Sequence, residues 1–78
     1  MQTLIGITLN TINDVKSFVN TANKFNGDVL IRNGHYIVDG KSLLGIFSLD
    51  LSKGLTVEFS DTPNEEILGE LHQFIKED

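Results

Sequence analysis

Apolar residues recur along this chain with a period that changes from one segment to the next. Thr3, Ile5 and Ile7 alternate with Gln2, Gly6 and Thr8, the two-residue repeat of a strand with one buried face. The period then lengthens. Ile12, Val15, Phe18, Val19 and Ala22 recur every three or four residues, which predicts an amphipathic helix ending near Lys24. Asn10 or Thr11 is placed to cap it, with Asp14 near the positive end of its dipole. Val29 with Ile31, and Tyr36 with Val38, form two short runs around Asn33-Gly34, a pair that supplies the positive φ angles of a tight hairpin.

The second half repeats this alternation of periods. Asp39-Gly40-Lys41 turns the chain, and Ser42 stands where it would cap a short helix carrying Leu43, Leu44, Phe47 and Leu49, with Gly45 weakening it. After a turn at Lys53-Gly54, Leu55, Val57 and Phe59 alternate with Thr56, Glu58 and Ser60 as a half-buried strand. A last helix begins at Thr62 or Asn64, has Pro63, Glu65 and Glu66 in its first turn, and carries an apolar stripe of Ile67, Leu68, Leu71, Phe74 and Ile75. The order is β-α-β-β-α-β-α, an α+β sandwich. Four strands, antiparallel or mixed, would be covered by helices on one side and open to solvent on the other.

Composition narrows the chemistry. Seventy-eight residues make room for one small core and one domain, 1–78. Without Cys there is neither a disulfide nor a thiolate metal site, and His35 and His72 are too far apart in sequence for a ligand pair, so no metal or cofactor is expected. Six Lys/Arg against eleven Asp/Glu leave a formal charge of −5, and the basic residues are scattered, which argues against nucleic acid and anionic membrane as partners. The carboxylates gather at Glu65, Glu66 and Glu70 and at Glu77-Asp78, the pattern of a solvated helix face. No stretch approaches the roughly 20 apolar residues of a membrane span, and the start lacks signal-peptide features, so a cytoplasmic protein is expected.

One motif tempts a stronger reading. Gly40-Lys41-Ser42 ends like a nucleotide-binding P-loop, whose spacing is G-x-x-x-x-G-K-[ST]. Here Gly34 and Gly40 enclose five residues, and four of them, His35, Tyr36, Ile37 and Val38, are strand formers rather than a compact phosphate cradle. A turn followed by a helix cap accounts for the tripeptide.

The order of elements, with TANKFNGDV at 21–29 and GKSLLGIFSL at 40–49, resembles the HPr family, the histidine-containing phosphocarriers of the bacterial phosphotransferase system. The resemblance runs without gaps from the first helix through the second, and Lys41 to Leu49 is similar to the family's regulatory-serine helix. It implies an open-faced sandwich with a four-stranded antiparallel sheet and three helices on one face. It also places Thr11, Ile12, Asn13 and Asp14 on the family's His-Ala-Arg-Pro motif. Thr11 then stands for the phosphorylated histidine and Asn13 for the arginine that holds the phosphate. A threonine phosphate ester is too stable for easy onward transfer, and Asp14 adds negative charge where phosphate would sit.

The resemblance therefore implies no catalytic residue and no enzyme, but a regulatory or interaction module that has lost phosphoryl relay through histidine. Ser42 corresponds to a serine phosphorylated by a dedicated kinase in low-GC Gram-positive relatives. Leu43, Leu44 and Phe47 correspond to a docking face. The implied partners are proteins: a phosphotransferase-system enzyme, a kinase or a transcriptional regulator, with a homodimer as a further option. The alternatives are a carrier that accepts phosphate elsewhere, on Thr11 or His35, and a binding domain of this fold unrelated to sugar transport.

Overall fold

The computed structural model describes residues 3–75; Gln2, Lys76 and the acidic pair Glu77-Asp78 lie outside the described residues. In chain order the elements are β1 (Thr3–Ile7), α1 (Ile12–Ala22), β2 (Val29–Asn33), β3 (Tyr36–Asp39), α2 (Leu43–Phe47), β4 (Leu55–Phe59) and α3 (Glu65–Leu71), which passes into a 3₁₀ turn at His72–Phe74. The four strands form one sheet in the order β1-β4-β2-β3, with every neighbouring pair antiparallel. The choice left open between antiparallel and mixed is thus resolved.

Register explains why the sheet has two unlike faces. Ile5, Val57, Ile31 and Val38 lie in one row across the four strands, and Val57 and Ile31 at its centre are fully buried. One residue along, the row Gly6, Thr56, Arg32 and Ile37 faces the other way. Alternation by two sends the first row to the helices and the second to solvent. Arg32 and Glu58 form an ion pair on that outer face, Nη2 to Oε1 3.1 Å.

The helices close the inner face. α1 contributes Val15, Phe18 and Ala22 to the core, α3 contributes Ile67 and Leu71, and α2 buries only Ile46. Two edge-to-face aromatic pairs bind the layers, Phe18 with Phe74 at 6.1 Å between ring centres and Phe25 with Phe59 at 5.1 Å. Buried side-chain polar atoms among the described residues all have partners. Buried Asn33, for example, donates from Nδ2 to the carbonyl of Asp50 at 3.0 Å, tying the hairpin to the loop before β4.

Four local expectations are corrected. Asn33 stays in β2 paired with Tyr36, and Gly34 alone takes a positive φ, 61°, with His35 as the second residue of the turn. A positive angle at the first central position only is the pattern of a II′ turn, which needs Gly once rather than two permissive residues. Ile12 is 63% exposed, because it is the first helical residue and leaves the stripe before α1 meets the core. Pro63 precedes the cap Asn64 instead of sitting in the first turn of α3. That helix stops at Leu71, and Ile75 leaves it to bridge Ile7 on β1, 37% exposed.

A polar clamp joins α1 to α3. Lys24 Nζ donates to Glu70 Oε2 at 2.6 Å and lies 3.8 Å from Glu66, while the Thr21 hydroxyl donates to Glu70 Oε1 at 2.9 Å. The Lys24 ammonium, followed by the Thr21 hydroxyl, holds the Glu70 carboxyl below its usual value, and Glu70 in turn raises Lys24. A depressed carboxyl stabilises the fold above its unfolded pKa and loses that contribution as pH falls through the lower folded value; the raised lysine loses its share only as pH climbs through a value above 10.5. Glu70→Gln should therefore lower the melting temperature slightly at pH 7, and the difference should close on acidification below about pH 4. An unchanged difference at pH 3 would show that the ion pair is not its source.

Candidate functional site

The amino end of α1 is closed by its own side chains. Thr11 is the N-cap, with extended backbone at φ −131° and ψ 165°, and its hydroxyl accepts from the Asp14 N–H at 3.0 Å. The Asp14 carboxylate reaches back and accepts from the N–H groups of Asn10 at 3.0 Å and Thr11 at 3.3 Å. This is a capping box, each partner satisfying a donor the helix leaves open. It was written in the sequence as Thr-x-x-Asp, and only the dipole role of Asp14 was read from it. Asn13, the second residue of α1, is exposed.

Three of the cationic side chains are occupied elsewhere. Lys24 is held by Glu70, Arg32 by Glu58, and Lys41 donates from Nζ to the carbonyl of Phe25 at 2.6 Å. Among the described residues no Lys or Arg side chain and neither imidazole forms a hydrogen bond with the first turn of α1. His35 is exposed within the β2–β3 turn and His72 is exposed at the start of the 3₁₀ turn. The described residues also contain no group of three or more His, Asp or Glu arranged to hold a metal ion.

Gly40-Lys41-Ser42 has a structural account. A Cβ at Gly40 would stand 2.5 Å from Val29 Cγ1 and 3.2 Å from the Val29 carbonyl oxygen, so the chain needs Gly where the two strands approach. Lys41 is spent on the loop after α1. Ser42 caps α2, its hydroxyl accepting from the Gly45 N–H at 3.1 Å.

α2 is too short to hide its apolar residues. Leu44 is 81% exposed and Phe47 40%, whereas Leu43 is half-buried against the core and so contributes less free surface than the sequence suggested. α2 packs beside α1, and the open groove between them, about 410 Å³, is lined by Lys16, Ser17, Val19, Asn20, Asn23 and Leu43. The sequence marks Val19 only as part of the apolar stripe and does not mark Asn20 or Asn23 of that groove, since pairing of α1 with α2 is a tertiary fact. A larger cleft of about 570 Å³ lies between the loop after α1 and the start of α3, and none of the expected site residues lines it.

The family model described as "PTS HPr component phosphorylation site" matches residues 14–77. The chain belongs to the HPr family. Solved structures agree over nearly the whole length. HPr-C-His from Thermoanaerobacter tengcongensis is 28% identical with a TM-score of 0.68, covering 96% of this chain and 90% of its own. The phosphocarrier protein HPr from Bacillus anthracis is 25% identical with a TM-score of 0.68, covering 97% and 96%. Crh, the Bacillus subtilis catabolite repression HPr, is 28% identical with a TM-score of 0.65, covering 100% and 99%. A search of curated proteins finds no match.

HPr-family proteins are phosphocarriers rather than catalysts, they work through protein partners, and the family includes a regulatory relative in Crh. The match begins at Asp14 and so starts after Thr11, Ile12 and Asn13. Among the described residues no helix is long and apolar enough to cross a membrane.

Proposed function

We propose that this chain is a regulatory or interaction module of the HPr family that does not relay phosphoryl groups through histidine. One observation carries the reading: the Asp14 carboxylate already occupies the amino end of α1, bonded to the N–H groups of Asn10 and Thr11. An incoming phosphoryl group would meet a fixed negative charge at the place where a phosphocarrier needs a nucleophilic imidazole and a cation. Thr11 offers a hydroxyl engaged with the Asp14 N–H and no base beside it. Ser42 is the proposed regulatory site. Its hydroxyl accepts from the Gly45 N–H in the first turn of α2, where a phosphate dianion would be favoured by the dipole. Leu44 and Phe47 supply the proposed docking surface in the cytoplasm, with Leu43 at its buried margin.

Intact-mass measurement tests the reading directly. Incubated with phosphoenolpyruvate and the first enzyme of the phosphotransferase system, the chain should gain no phosphoryl group while a histidine-bearing HPr in the same tube does. A gain mapped to Thr11 or His35 would replace the module with a carrier that uses a non-standard acceptor. With ATP and the serine kinase of Gram-positive relatives, a single phosphoryl group should appear and be abolished by Ser42→Ala. No gain in that arm would remove the regulatory assignment.

A further inference from the structure

Asparagine is followed by glycine twice in this chain, at Asn26-Gly27 and at Asn33-Gly34. Such a pair carries chemistry of its own. Asparagine is a labile residue, and a glycine after it has no side chain to shield its backbone nitrogen or to restrict its torsions, so that nitrogen can attack the asparagine amide carbon. Attack needs a free carboxamide, a backbone that can move, and water.

The structure separates the two pairs. Asn33 is 7% exposed, its Nδ2 donates to the Asp50 carbonyl at 3.0 Å, and its backbone is fixed in β2 opposite Tyr36. Asn26 stands in the irregular stretch between α1 and β2, exposed on the rim of the cleft beside α3. Among the described residues its side chain has no hydrogen-bond partner, and neither Asn26 nor Gly27 takes part in a backbone hydrogen bond. Their neighbours are anchored: the Phe25 carbonyl accepts from Lys41 Nζ at 2.6 Å, and Asp28 is bonded to Ser60 through both its N–H and its carbonyl, each at 3.0 Å. Glycine is also required here by packing, since a Cβ at Gly27 would collide with Ser60 Oγ and the Phe25 ring. The reactive pair therefore comes with the fold.

We propose that Asn26 is a site of spontaneous deamidation and that the fold spares Asn33. The Gly27 nitrogen bonds to Asn26 Cγ, its proton passes by way of water to the carboxamide nitrogen, and that nitrogen leaves as ammonia, closing a cyclic imide. Water then opens the imide. Breaking the bond from the Gly27 nitrogen to Cγ gives aspartate; breaking its bond to the main-chain carbonyl carbon gives isoaspartate. One water enters, one ammonia leaves, and nothing is oxidised or reduced. Either product adds a negative charge next to Asp28, on a rim shared with Asp61. Isoaspartate also lengthens the backbone by a methylene between the anchored Phe25 and Asp28.

Peptide mapping of the full chain tests this, because trypsin cuts after Lys24, Arg32 and Lys41 and so leaves Asn26 in peptide 25–32 and Asn33 in peptide 33–41. The protein is held at mildly alkaline pH in buffer and, in parallel, in urea, quenched in acid at intervals and digested briefly. In buffer, peptide 25–32 should gain the mass difference between a hydroxyl and an amino group at least about tenfold faster than peptide 33–41, whose asparagine reacts only when its strand opens. In urea the two rates should converge. Asn26→Gln, at an exposed position without a partner, should keep the melting curve and abolish the acidic species seen on isoelectric focusing. An Asn26 that stays intact in folded protein, a ratio of rates unchanged by urea, or an acidic species that persists in Asn26→Gln overturns the proposal.

Discussion

Phe18→Ala should cost about 3–5 kcal/mol of folding stability, a large share of the roughly 4–12 kcal/mol expected for a domain of this length. Phe18 is fully buried at the centre of α1, and its ring meets Phe74 edge-to-face where the 3₁₀ turn passes beneath it. Truncation removes the ring from water-excluded packing, ends that aromatic contact and leaves a cavity at the junction of α1 with the end of α3. α1 has no equally large side chain on its buried face to fill the gap. Urea unfolding followed by far-ultraviolet dichroism should show a midpoint shifted sharply down, or a chain already partly unfolded in buffer. A loss under about 1 kcal/mol would mean the helices collapse into the space and that the junction does not hold the layers together.

Phe47→Ala should have the opposite profile. Phe47 keeps 40% of its surface exposed, so its removal forfeits only the buried part of the ring and the stability loss should be about 1–3 kcal/mol, below that of Phe18→Ala. As an aromatic anchor of the proposed docking surface it should instead weaken partner binding by about 2 kcal/mol, close to 30-fold. Titration calorimetry against the first enzyme of the phosphotransferase system measures this. Leu44, more exposed still, should act in the same direction with an even smaller effect on folding. Equal affinity of Phe47→Ala and the parent chain, or no binding by either, would remove α2 as the docking element.

How far the sequence could be read follows from whether a feature is local. Leu55 to Phe59 carries its answer in its own alternation, and the structure buries Leu55, Val57 and Phe59 as that pattern requires. Ser42 was legible for the same reason, because a cap is decided by residues within one helical turn. The sheet order was not legible from periodicity, since β4 comes to lie between β1 and β2 through pairings that no short window contains. Ile12 shows the limit within a single element. Its spacing fits the apolar stripe, yet a stripe says nothing about where the supporting layer ends. The candidate site divides likewise: Thr11 and Asp14 satisfy each other locally, while the groove beside Leu43 exists only because α2 folds onto α1.

The placement of β4 also governs how the molecule must assemble. β2 and β3 are joined by a two-residue turn and can find each other early, but Thr3 pairs with Phe59, so β1 waits for a strand made near the far end of the chain. Loop closure over that distance is entropically costly and slows the search. On the ribosome the first strand therefore emerges long before its neighbour, an apolar segment without a bonding mate until β4 has been made.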